Sequence, residues 1–159
     1  MCVRLAIRIV HNASLSLYAL IDTKPIKEKY VALFNPSRDE VRQFFCGAWQ
    51  KQLTGTVLTP LEMIACSWIK LHPEYHAILS NHEALVQEFT PEQGQTNPFL
   101  HLSMHLAVAE QVSIDQPPGI RSAFAKLCEK MGDDHKAAHQ VFECLAEQIY
   151  QQQKNGVAF

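Results

Sequence analysis

Pro98-Phe99-Leu100-His101-Leu102-Ser103-Met104-His105-Leu106-Ala107-Val108-Ala109-Glu110-Gln111-Val112 is the stretch whose pattern decides the fold. On a helical wheel at about 100° per residue, His101, His105, Val108 and Val112 fall within roughly 60° of one another. Leu102 and Met104 flank that stripe, and Ser103 and Glu110 lie on the opposite side. The pattern predicts an amphipathic helix with two imidazoles set into its apolar face. Asn97-Pro98 marks its start. Asn97 can cap the free backbone N–H groups, and Pro98 at the first helical position gives up a donor that would have had no partner.

Similar punctuation recurs through the chain. Ser37-Arg38-Asp39-Glu40 is a capping box, and the helix after it aligns Val41, Phe44, Phe45 and Ala48. Thr59-Pro60-Leu61-Glu62 is a second capping box, and its helix is expected to align Leu61, Ala65, Trp68 and Ile69. That helix should end near Leu71, because Pro73 disfavours helical backbone at His72. A shorter helix follows from Pro73 through Ile78 and Leu79. Thr90 to Asn97 reads as a polar connector, and Pro117-Pro118-Gly119 as the next break. Ile120, Ala123, Phe124, Leu127 and Met131 then form one stripe, with Gly132 as the stop. Asp133 or Asp134 caps a last helix that runs toward Lys154. No part of this body shows the period of two that a strand requires. The expected fold is all-α: an antiparallel helical bundle of about five main helices.

Composition narrows the function classes. A chain of 159 residues suits one domain with a core of its own. The formal net charge is -2 and no basic run with interleaved aromatics occurs, so nucleic acid is not an expected partner. No apolar run approaches the length of a membrane span. The five cysteines (Cys2, Cys46, Cys66, Cys128, Cys144) are odd in number, scattered and without a CxxC pair. That usage fits a reducing compartment, and a cytoplasmic protein is expected. A homo-oligomer is compatible with the sequence, and no small-molecule or protein partner is specified by it.

The first 33 residues differ from the rest. Val3 to Val10 has a strand-like flavour, and Leu15 to Ile21 is apolar up to Lys24-Pro25. Arg4 and Arg8 interrupt any apolar region of a secretory signal. The expected organisation is an N-terminal extension over 1–33 outside the core, a helical domain over 34–154 and a tail over 155–159.

The chemistry rests on the histidines. His101 and His105 are spaced i, i+4, and so are His135 and His139. On the last helix His135, His139, Phe142, Ala146 and Ile149 share one face, while Gln140, Glu147, Gln148 and Gln151 face away. Glu143 lies at the edge of that stripe and could add a carboxylate. An i, i+4 pair brings two ring nitrogens to one side of a helix, within reach of one ion. Two such helices facing each other suit a divalent transition metal such as zinc or iron. The expected ligands are His101, His105 and His139, then His135 and Glu143. In His72-Pro73-Glu74-Tyr75-His76 the proline breaks the helix between the two rings. There His72 is expected to cap and His76 to point inward as a further ligand. His82 is expected at the surface. The competing reading makes the histidines a polar network in the core of a non-enzymatic structural or interaction protein. P-loop, GxGxxG, HExxH and GxSxG motifs are all missing, so no reaction is specified.

Several blocks carry a family resemblance. They are Phe34-Asn35-Pro36-Ser37-Arg38, Thr59-Pro60-Leu61-Glu62, His72-Pro73-Glu74-Tyr75-His76, Thr90 through Leu102, and Ser113 through Arg121. Together they resemble the bacterial family called domain of unknown function 1841, over about Phe34 to Gln153. The resemblance implies no reaction. In that family the Phe-Asn-Pro-Ser block usually follows the initiating Met directly, and here Leu33 stands in that place. The expectation that follows is that residues 1–33 are upstream sequence with no part in the native fold. The Glu-x-x-His pairs of ferritin-like di-iron proteins are missing from this chain.

Overall fold

The computed structural model describes residues 36–89, 96–116 and 118–155, with the side chains of 82, 84 and 145–155 left aside. The expected extension over 1–33 and most of the connector after Phe89 lie outside those residues. Among the described residues the chain is all-helical. The helices are α1 (Arg38–Thr54), α2 (Pro60–Lys70), α3 (His76–Leu79), α4 (Pro98–Ile114), α5 (Ile120–Met131) and α6 (Asp134–Asn155). Two 3-10 turns, Pro73–Tyr75 and His82–Leu85, join them. No strand occurs there, and no helix is long and apolar enough to cross a membrane.

Local chemistry sets the boundaries. Ser37 and Thr59 each accept from the third residue of their helix, and Glu40 and Glu62 reach back to the cap's own N–H. Asn97 Oδ1 accepts from Phe99 N at 3.0 Å and Leu100 N at 3.2 Å, ahead of Pro98 in the first turn. Of the two candidate capping aspartates, Asp133 is the one that accepts from Lys136 N, at 3.0 Å, while Asp134 begins α6. Gly55 and Gly132 close α1 and α5 in the left-handed region, where a Cβ would be strained. Because Asn97 satisfies two backbone donors, Asn97→Ala should lower stability by about 1 kcal/mol in chemical denaturation. An unchanged midpoint would mean that the side chain is not a working cap.

Two compact units emerge, one reaching Leu106 and the other running from Ala107. In the first, α1 and α2 run antiparallel: Lys51 Nζ meets Glu62 Oε1 at 2.6 Å, and Cys66 Sγ donates to Ala48 O at 3.4 Å. Its core gathers Phe45, Trp49, Ala65, Ile69, Tyr75, Leu79, Phe99 and Leu102. Cys46 packs against that core, as an apolar residue would. Arg42 is buried there as well, at 2 % exposure. The register of α2 differs from expectation. Leu61 is 45 % exposed, and the buried face is instead Glu62, Ala65, Cys66 and Ile69. A carboxylate tolerates that position because Lys51 and the Thr59 N–H both bind it, and they hold its pKa below the usual carboxylate range.

In the second unit α5 packs against α6, and the turn between them is closed by Gly132. Val108, Ile120, Ala137, Ala138, Val141 and Phe142 are buried. Between α4 and α5, Asp115 Oδ1 accepts from Gly119 N and Arg121 N, which ties Asp115 to the start of α5.

Candidate metal centre

Helix α4 turns His105 fully inward, at 0 % exposure, one turn after Leu102 and one turn before Val108. His101, a turn earlier, is half-buried. Opposite them stands a residue assigned a different role by the sequence reading. His72 makes no capping hydrogen bond. It is 3 % exposed, and its Nε2 lies 2.8 Å from His105 Nε2 and 3.3 Å from His101 Nε2. The cap expectation for His72 is therefore corrected. Pro73 removes it from the helix, but the Ala65-Ile69 stripe continues at the same phase into position 72.

Each ring is held by aromatic neighbours. Trp68 stacks on His105 with centroids 4.2 Å apart, and Tyr75 stacks on His72 at 5.2 Å. Glu74 accepts from His72 Nδ1, Oε1 standing 2.8 Å away. His76, the other histidine of this segment, packs its ring against Trp49 at 4.3 Å and places Nε2 2.9 Å from Ile69 O.

On α6, His135 and His139 lie ring against ring, with centroids 4.4 Å apart, and His139 stacks on Phe142 at 5.6 Å. Both are half-buried. They border the buried stripe of Ala137, Ala138, Val141 and Phe142. Glu143 is exposed and accepts from Gln140 Nε2 at 3.1 Å.

Among the described residues, four histidines form a group that could hold a metal ion: His72, His105, His135 and His139. Each offers one ring nitrogen, and these nitrogens all lie within 4.8 Å of one another. Three of the four were expected ligands, and His72 joins them. His101 stands beside His72 but outside that group of four.

The class defined here is a helical protein with a clustered-histidine site. Residues 37–159 match the family described as Domain of unknown function (DUF1841), and the chain belongs to that family. No curated protein and no solved structure matches it.

Proposed function

We propose that this protein binds a divalent transition metal, zinc or iron, through His72, His105, His135 and His139. The observation that carries this reading is the approach of four ring nitrogens to within 4.8 Å of one another. Four imidazoles without a thiolate suit borderline metals. Four rings on one zinc ion close the tetrahedral shell, as in structural sites, whereas a ring left out opens a position for water. His101 is the reserve ligand. His76 and Glu143 are left outside the set, since Ile69 O and Gln140 engage them.

A second reading has an observation in its favour. The 2.8 Å between His72 Nε2 and His105 Nε2 is a hydrogen-bond length. Two nitrogens sharing a tetrahedral ion at bonds of about 2.0–2.1 Å would stand about 3.3 Å apart. On this reading the rings form a neutral polar network in the interior, with no ion.

Elemental analysis of protein purified without a histidine tag separates the two. The metal reading expects about one zinc or iron per chain, bound less tightly as pH falls through the range in which imidazole protonates. His105→Ala and His139→Ala should each reduce the metal content and lower the melting temperature, and His82→Ala should do neither. Metal-free wild-type protein whose melting curve ignores added zinc would leave the polar network as the function of these rings.

A further inference from the structure

His72-Pro73-Glu74 is a self-contained unit. The proline ends α2 and starts the Pro73–Tyr75 3-10 turn, and Tyr75 N closes onto His72 O at 3.0 Å. That turn folds Glu74 back toward its neighbour two residues earlier, so that Oε1 lies 2.8 Å from His72 Nδ1. The two ends of the His72 ring thus meet different chemistry. Nδ1 meets a carboxylate, whose side chain is half exposed to water, and Nε2 meets two other imidazole nitrogens in the interior.

An ionised carboxylate can only accept, so the hydrogen of that short contact belongs to Nδ1. A neutral imidazole carries a single N–H. With Nδ1 protonated, Nε2 is left as a lone pair, and Nε2 is the atom that faces His105 and His101. We propose that Glu74 is a positioning residue: it holds His72 in the Nδ1–H tautomer and so presents the Nε2 lone pair to the histidine cluster. Its own carboxylate stays out of the ligand set. The assignment of the tautomer stands on the hydrogen-bond geometry alone. Its consequence for affinity rests on the metal reading above, in which a histidine ligand oriented by a carboxylate is worth about 10–100-fold in affinity.

Two measurements on the full chain test these two parts separately. In metal-free protein, nitrogen NMR of the imidazole rings reads the tautomer directly. Wild-type His72 should be protonated at Nδ1, and Glu74→Ala should release it toward the Nε2–H form. Glu74→Gln should restore the Nδ1–H form, because its amide oxygen also accepts. Zinc titration against a competing chelator should then show affinity falling about 10–100-fold in Glu74→Ala and largely recovering in Glu74→Gln. The melting temperature of the metal-free variants should stay near wild type, because Glu74 is largely at the surface. Wild-type His72 found with its proton on Nε2, or a Glu74→Ala tautomer identical to wild type, would overturn the proposal. So would zinc bound equally by wild type and Glu74→Ala. Wild-type protein with the expected tautomer but no affinity for zinc would uphold Glu74's role and remove the metal reading instead.

Discussion

Phe99→Ala should destabilise the protein by about 3–5 kcal/mol, read as a lower denaturation midpoint at an unchanged slope. The ring is 1 % exposed and belongs to the main core cluster. Phe89 meets it edge-on with centroids 6.0 Å apart, and the Arg42 guanidinium lies over it at 5.2 Å. Truncation would remove transfer energy and leave a cavity that the helices around it can only partly close. Phe99 also lies in the first turn of α4, two residues before His101 and six before His105. The same anchor therefore fixes His101 and His105 on α4, and on the proposed metal reading zinc affinity should fall along with stability. A loss under about 1 kcal/mol would contradict the close-packed surroundings described for this ring.

Arg42→Ala should cost about 2–3 kcal/mol. Nη1 donates to Leu85 O at 2.9 Å, and the planar guanidinium covers both Phe89 and Phe99. A hydrogen bond from a charged donor contributes about 1.5–3 kcal/mol and each aromatic contact about 1 kcal/mol. Against these stands the cost of taking a cation out of water, which already lowers the Arg42 pKa from its ordinary value. Arg42→Lys should recover little, since an ammonium cannot lie flat on two rings. Arg42→Met is the decisive variant. If it equals or exceeds wild type in urea denaturation, desolvation outweighs the contacts and the assignment of a net stabilising role fails. The Phe99 and Arg42 changes should also be non-additive, by about 0.5–3 kcal/mol in a double-mutant cycle, because the two side chains touch.

Helix boundaries were legible in the sequence because their signals are local. Ser37, Thr59 and Asn97 cap within three residues of themselves, and Pro60, Pro98 and Gly132 act through their own backbones. Burial was less legible wherever a charge is neutralised from afar. Glu62 lies on the buried face of α2 because Lys51, on another helix, reaches it. The sequence reading aligned Leu61 with Ala65 and Ile69, whereas the folded helix buries Glu62 and exposes Leu61. Arg42 hides in the same way: it shares a face with Phe45 and Trp49, and its compensating carbonyl, Leu85, is 43 residues away.

The candidate site divides along the same line. His105, His135 and His139 were found from helical spacing, because two residues one turn apart share a side whatever surrounds them. His72 was missed because Pro73 breaks the regular helix on which that spacing argument depends. Its phase with Ala65 and Ile69 was the available signal, and it lay one residue past the expected helix end near Leu71. Glu74 carried no periodic signal at all. Its role depends on a three-residue turn whose geometry appears only when the chain is folded.

The His72–Glu74 contact spans two residues, whereas His72–His105 spans 33. Chain closure over so short a segment takes well under about 100 ns, far faster than the assembly of a core. The order of events follows from that difference in reach. The ring can meet its carboxylate repeatedly while the polypeptide is still searching, and the folded turn then holds that contact for the remaining histidines.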